Sequence, residues 1–151
     1  MITNGKKVRL SYELTADGKP FKIVNPGKPV SYVHGKNSGE FPKAISKGLA
    51  GMKLGERKSI HLTPVQGYGA VKQTLFMTMP RKRFAHRYHF IGRQVVSEQD
   101  GKHLAFVKEV HKDSIVLDFN HPLAGKKLQY DIFVVGIEGE GMVPQKLRGN
   151  L

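Results

Sequence analysis

Two strings, Gly67-Tyr68-Gly69-Ala70 and Asp118-Phe119-Asn120-His121-Pro122-Leu123-Ala124-Gly125-Lys126, the second leading into Leu128-Gln129-Tyr130-Asp131-Ile132-Phe133-Val134-Val135, decide how this 151-residue chain is organised. In the final run Leu128, Tyr130, Ile132 and Val134 fall on every second position, the period of a strand with one buried face. A strand from Leu128 to Ile137 is therefore expected, lying centrally in a sheet. Tyr68, held between two glycines, marks a turn.

The chain before Tyr68 supplies neighbours for that strand. Val8, Leu10, Tyr12 and Leu14 alternate with polar residues, and Asp17-Gly18 follows as a hairpin turn. Asn25 to Pro29 reads as a loop, Val30-Ser31-Tyr32-Val33 as a short strand, and Arg57 to Thr63 as another carrying Ile60 and Leu62. A helix is expected from about Phe41, with Pro42 at its first position, Glu40 complementing its dipole and Gly51 ending it. Ile45 and Leu49 would share its apolar face. A sheet covering one helix gives an α+β core.

Past Ala70 the pattern changes. Met77-Thr78-Met79-Pro80 runs into the basic cluster Arg81-Lys82-Arg83, and short strand-like pieces follow at Gln94 to Ser97, Leu104 to Val110 and Ser114 to Phe119. They form a small β unit, marginal in size for a core of its own. Gly139 to Leu151 reads as a frayed tail.

Composition narrows the function classes. The chain lacks cysteine, which excludes disulfides and thiolate metal sites, and has no apolar run approaching a membrane span or a signal peptide, so a cytoplasmic location is expected. The net charge is +13, concentrated early: residues 1–75 carry 13 Lys/Arg against 4 Asp/Glu. Such a field raises encounter rates with RNA, ribosomes or acidic polypeptides in a salt-dependent way, and equally it can be a soluble surface without a partner.

The two opening strings, together with Asp17-Gly18-Lys19-Pro20-Phe21 and Glu40-Phe41-Pro42-Lys43-Ala44-Ile45, resemble FKBP-type peptidyl-prolyl isomerases of the SlyD-like branch. The resemblance covers nearly the whole chain. It implies an FKBP-like domain made of residues 1–75 and 121–140, a small, mainly-β chaperone domain inserted at 76–120, and a tail at 141–151. It also implies a catalytic pocket. Tyr12 and Phe21 would stand in its wall, Phe41 and Ile45 in its floor, Tyr130 on the return strand and Val30 at a position that is often larger; Tyr68 would bond the ligand. From periodicity alone most of these would be core residues.

Two positions depart from the family pattern. Lys22 stands where an aspartate usually orients a tyrosine and the substrate. Pro42 stands where the helix start usually offers a main-chain N–H, which proline lacks. Losing one buried hydrogen bond costs about 0.5–1.5 kcal/mol, so reduced rather than abolished activity is expected.

In the resembling proteins the insert binds unfolded segments. Phe76, Met77, Met79, Phe84, Tyr88, Phe90 and Ile91 are candidates for that surface, with part of them needed for the insert's own core. The close pair His86 and His89 is too small a ligand set, and neither a metal nor a cofactor is expected. The leading reading is a monomeric prolyl isomerase and folding chaperone whose partners are unfolded, proline-containing polypeptides. Two others stay open: a catalytically weak or silent polypeptide-binding module, and a basic RNA- or ribosome-associated protein.

Overall fold

A computed structural model describes residues 1–36 and 41–148. Its elements run β1 (Lys7–Ala16), β2 (Lys19–Val24), β3 (Val30–Val33), α1 (Lys43–Leu49), β4 (Arg57–Leu62), β5 (Phe76–Pro80), β6 (Gln94–Val96), β7 (His103–Val110), β8 (Ser114–Asp118), β9 (Leu128–Ile137), β10 (Gly141–Met142) and α2 (Gln145–Arg148). They gather into two compact units, Met1–Ala70 with Gly125–Leu151, and Val71–Ala124. The architecture is α+β, with antiparallel sheets and one principal helix. Among the described residues no helix is long and apolar enough to cross a membrane.

In the first unit β1 and β9 lie side by side from Val8↔Ile137 to Ala16↔Leu128. On β1's other side, β2 pairs with its second half and β3 with its first. Beyond β9 come β4 and the short β10. The β1–β2 hairpin closes through Asp17 (φ 49°) and Gly18 (φ 78°), the two positive φ values that a two-residue turn of matching twist requires. Because paired residues share a face, Val8, Leu10, Tyr12 and Leu14 meet Tyr130 and Ile132 on one side, all buried.

Ile45 and Leu49 of α1 are fully buried, each contributing about 1.5–3 kcal/mol of transfer free energy. The helix approaches closely at Gly48, where an added Cβ would come within 2.5 Å of Ile60 Cδ1. Lys58 Nζ donates to the Gly48 carbonyl at 2.9 Å, and Gly51 (φ 80°) turns the chain away, as anticipated.

Three expectations change. Pro42 is the N-cap rather than the first helical residue: its ψ of 147° is extended, and its carbonyl accepts from Ile45 N–H at 2.9 Å. The expected frayed tail is partly ordered, since β10 pairs with β9 and Arg148 donates to the Pro26 carbonyl at 3.5 Å. Phe76–Pro80, read only as a lead into the basic cluster, is a strand. Glu40, expected to complement the helix dipole, lies outside the described residues.

The second unit is a four-stranded antiparallel sheet in the order β5-β8-β7-β6. Its core is Val95, Ala105, Val107, Ile115 and Leu117, with Met79, Phe84 and Tyr88 packed against it. Asn120 fastens the ends of this unit together. Its side chain accepts from Lys72 N–H at 2.9 Å and donates to the Lys72 carbonyl at 3.1 Å and to Asp118 at 2.7 Å. Asn120, from the second of the opening strings, is thus spent on holding the ends of this unit together.

Candidate active site

Four rings converge on the inner face of the larger sheet. Phe41, just before α1, meets Tyr12 and Tyr32 edge-on at 5.6 Å and Tyr130 at 6.3 Å, while Tyr12 and Tyr130 are 5.7 Å apart. Edge-to-face pairs of this kind each add about 0.5–1.5 kcal/mol beyond burial, so the cluster is a rigid wall. The strands set it in place: Tyr12 stands between Val24 of β2 and Ile132 of β9, and Tyr130 between Leu14 and Ile60.

Tyr68 reaches this wall from a tight turn. The turn is built by Gln66, whose side chain accepts from Thr63 N–H at 3.0 Å, and by Gly69 N–H donating to the Pro64 carbonyl at 2.7 Å. Burial chiefly, then the charge of Tyr68 and a side-chain hydrogen bond with it, holds the Tyr130 phenol well above its ordinary range. Burial pushes Tyr32 up to about 12 and lowers His34. Both therefore stay neutral near pH 7, with the Tyr32 hydroxyl 2.8 Å from His34 Nδ1.

Of the residues anticipated for the pocket, the structure brings Tyr12, Phe41 and Tyr130 together, joins Tyr68 to them, and buries Ile45 beneath the helix start. Val30 lies half-buried opposite Leu10. Phe21 does not join the ring cluster: it sits at the irregularity where β1 and β2 change register and is 50% exposed. Lys22 is exposed on β2 opposite Leu14. Tyr32 and His34 were missed. The available signal was that Tyr32 alternates inward on a strand beside another inward tyrosine, Tyr12.

On the sheet's outer face lies a groove of about 400 Å³, between Ile23, Pro26, Arg57 and Phe133. There Ser59 donates to Asp131, and the Arg57 guanidinium lies 5.5 Å from the Phe133 ring centre.

In the second unit Met79, Phe84 and Tyr88 serve its core, and Phe76 is covered by Lys108, whose Nζ is 3.6 Å from the ring centre. Met77, Phe90 (54%) and Ile91 (73%) are exposed, as are Leu75 and Leu104, which the sequence did not single out. The His86 and His89 rings are 5.6 Å apart, but His89 is committed to the loop, taking a bond from Arg81 Nε at 3.2 Å and donating to the Phe84 carbonyl at 2.9 Å.

An antiparallel sheet over one helix, with a tyrosine- and phenylalanine-lined inner face and a Gly-Tyr-Gly turn, defines a class that the chain itself matches. The chain belongs to the FKBP-type peptidyl-prolyl cis-trans isomerase family, which it matches over residues 1–133. It is 29% identical to a short-type peptidyl-prolyl cis-trans isomerase of Methanocaldococcus jannaschii, over 91% of this chain and 95% of that one. It is 28% identical to the SlyD isomerase of Haemophilus influenzae, over 85% and 68% of the two chains. Identity to the FKBP-type 16 kDa isomerase of Escherichia coli is 30%, over 76% and 77%.

Proposed function

We propose that this protein catalyses cis–trans isomerisation of Xaa-Pro bonds in polypeptides and holds unfolded clients through its second unit. The observation that carries the reading is the convergence of Tyr12, Phe41 and Tyr130, bonded to Tyr68, in a chain of this family. Rotating an amide needs neither nucleophile nor metal. The barrier, about 18–20 kcal/mol, reflects lost resonance, and an apolar wall that strips water from the amide dipole favours the twisted state over the planar one. Tyr68 is the polar group suited to fix a substrate carbonyl, with its neighbour Tyr130 kept protonated through the physiological range.

Residues 71–124 support the holding role in two ways. They present exposed Met77, Phe90 and Ile91, and β5 and β6 leave strand edges that an extended chain could join. A weak or silent isomerase that retains this binding role is favoured by one observation, the N-cap Pro42, which has no N–H to offer.

The test compares cis-to-trans rates of an Ala-Leu-Pro-Phe peptide with refolding of a proline-limited protein. Wild type should accelerate both, and Tyr68→Ala should lower both by up to about tenfold, the worth of one good hydrogen bond. Phe90→Asp with Ile91→Asp should lower the refolding rate relative to the peptide rate. No acceleration by wild type sinks the catalytic reading, and an unchanged ratio in the double variant sinks the holding role.

A further inference from the structure

The described carboxylates of the first unit are all spent away from the ring wall. Glu13 and Asp131 pair across β1 and β9 on the outer face, alternating with the inward Tyr12 and Tyr130. Asp17 bonds Lys127 N–H at 2.9 Å and faces Lys126 at 3.8 Å; Glu56 accepts from Lys53 N–H and Glu138 from Lys7 N–H. Glu140 holds the N-terminal amine and Lys6. No described carboxylate stands on the inner face of the sheet.

Two lysines do stand there, one on each side. Lys58 of β4 pairs with Ile132, and its charge is used within the fold on the Gly48 carbonyl. Lys22 of β2 pairs with Leu14, which on its other side pairs with Tyr130. Lys22, Leu14, Tyr130 and Ile60 thus form one row across four strands, on one face. At one strand spacing per step, Lys22 starts about 10 Å from Tyr130 along that row. Among the described residues Lys22 makes no ion pair, and it is exposed at the sheet's edge.

We propose that Lys22 is a specificity-determining residue that selects proline segments carrying a glutamate or aspartate next to the proline. This rests on the isomerase reading above, since it names the substrate class of the same wall. A chain laid on the rings from the β2 side passes an ammonium that, among the described residues, has no ion-pair partner and no opposing carboxylate. An acidic neighbour of the proline therefore gains, and a basic one is repelled. The attraction is that of a partly exposed pair, so it amounts to about a two- to fivefold preference that added salt weakens.

The experiment measures kcat/KM for Ala-Glu-Pro-Phe and Ala-Lys-Pro-Phe peptides at low and high salt, and in parallel the affinity of both peptides by NMR titration. The same measurements are made on Lys22→Gln and Lys22→Glu. The ratio of the two peptides is read, so any general change in activity cancels. Wild type should favour glutamate, Lys22→Gln should bring the ratio towards one, and Lys22→Glu should invert it. A ratio indifferent to residue 22 in both turnover and affinity overturns the proposal. Absent turnover with a Lys22-dependent affinity ratio upholds this selectivity while overturning the catalytic reading.

Discussion

The two sheets are built by the same rule and end in different states. In the first unit β1 and β9 commit nearly every inward position to one core, and α1 covers it with Ile45 and Leu49. In the second unit the four strands enclose a small cluster of Val95, Ala105, Val107, Ile115 and Leu117, while Met77, Phe90, Ile91 and Leu104 stay exposed. A small unit has too little interior to hide all its apolar side chains. The difference separates a rigid wall suited to one geometry from a soft surface suited to many.

Removing a core side chain from the smaller unit breaks the comparison most strongly. Leu117→Ala should cost about 2–5 kcal/mol, since little surrounding core can collapse into the gap. By hydrogen exchange, protection should fall in β7 and β8 while β1 and β9 keep theirs. A uniform loss across both sheets would show instead that the units unfold as one.

Gly48→Ala tests how tightly the first unit is packed. The new methyl group would meet Ile60 Cδ1, so the roughly 1 kcal/mol that alanine gains over glycine inside a helix should be offset, leaving the variant near neutral in chemical denaturation. Ile60→Val, which removes that atom, should cost less in the Gly48→Ala background than in wild type. A single variant stabilised by the full helix gain, or two changes that simply add, would mean that the helix is not seated against β4.

The smallest effect is on pH dependence. Burial lowers the pKa of His34 in the first unit and, chiefly by burial, of His121 in the second. The unfolded chain then takes up these protons first, so stability should hold above about pH 6.5 and decline as the pH falls below it. His34→Gln should flatten that decline when the midpoint of urea unfolding is followed from pH 7 to 5. An unchanged slope would remove His34 as a contributor.

Much of the larger sheet was legible because its strands alternate cleanly. Val8 to Leu14 largely alternate, Leu128 to Ile132 alternate before β9 becomes buried on both faces from Ile132 to Ile137, and Asp17-Gly18 names its own turn. β5 was missed because Phe76-Met77-Thr78-Met79-Pro80 has no strict alternation and ends in proline, which cannot donate to a ladder. β10 was missed because two residues, one of them glycine, carry no periodic signal; its partner β9 creates it. Pro42 was placed one position too deep, since composition cannot tell an N-cap from a first helical residue when no side-chain cap is present.

The site divides along the same line. The resemblance to the isomerase family pointed to Tyr12, Phe41, Tyr68 and Tyr130 as candidates, where periodicity alone made most of them core, whereas Tyr32 and His34 came into view only through the pairing of β3 with β1. Phe21 shows the opposite failure. The match to the family motif placed it in the pocket wall, but the register shift between β1 and β2 leaves it half in solvent and outside the ring cluster.

The pairing of β1 with β9 bears on how the chain is made. Val8 must find Ile137, so the most extensive ladder of the first unit cannot close until the ribosome has passed residue 137. The second unit, contiguous from Val71 to Ala124, is complete before that moment. Folding in the order of synthesis therefore runs from the middle outwards, and the isomerase-like sheet is the late, slow step because it closes the longest loop. Until then β1 can pair only with β2 and β3, and the edge that β9 will occupy stays open.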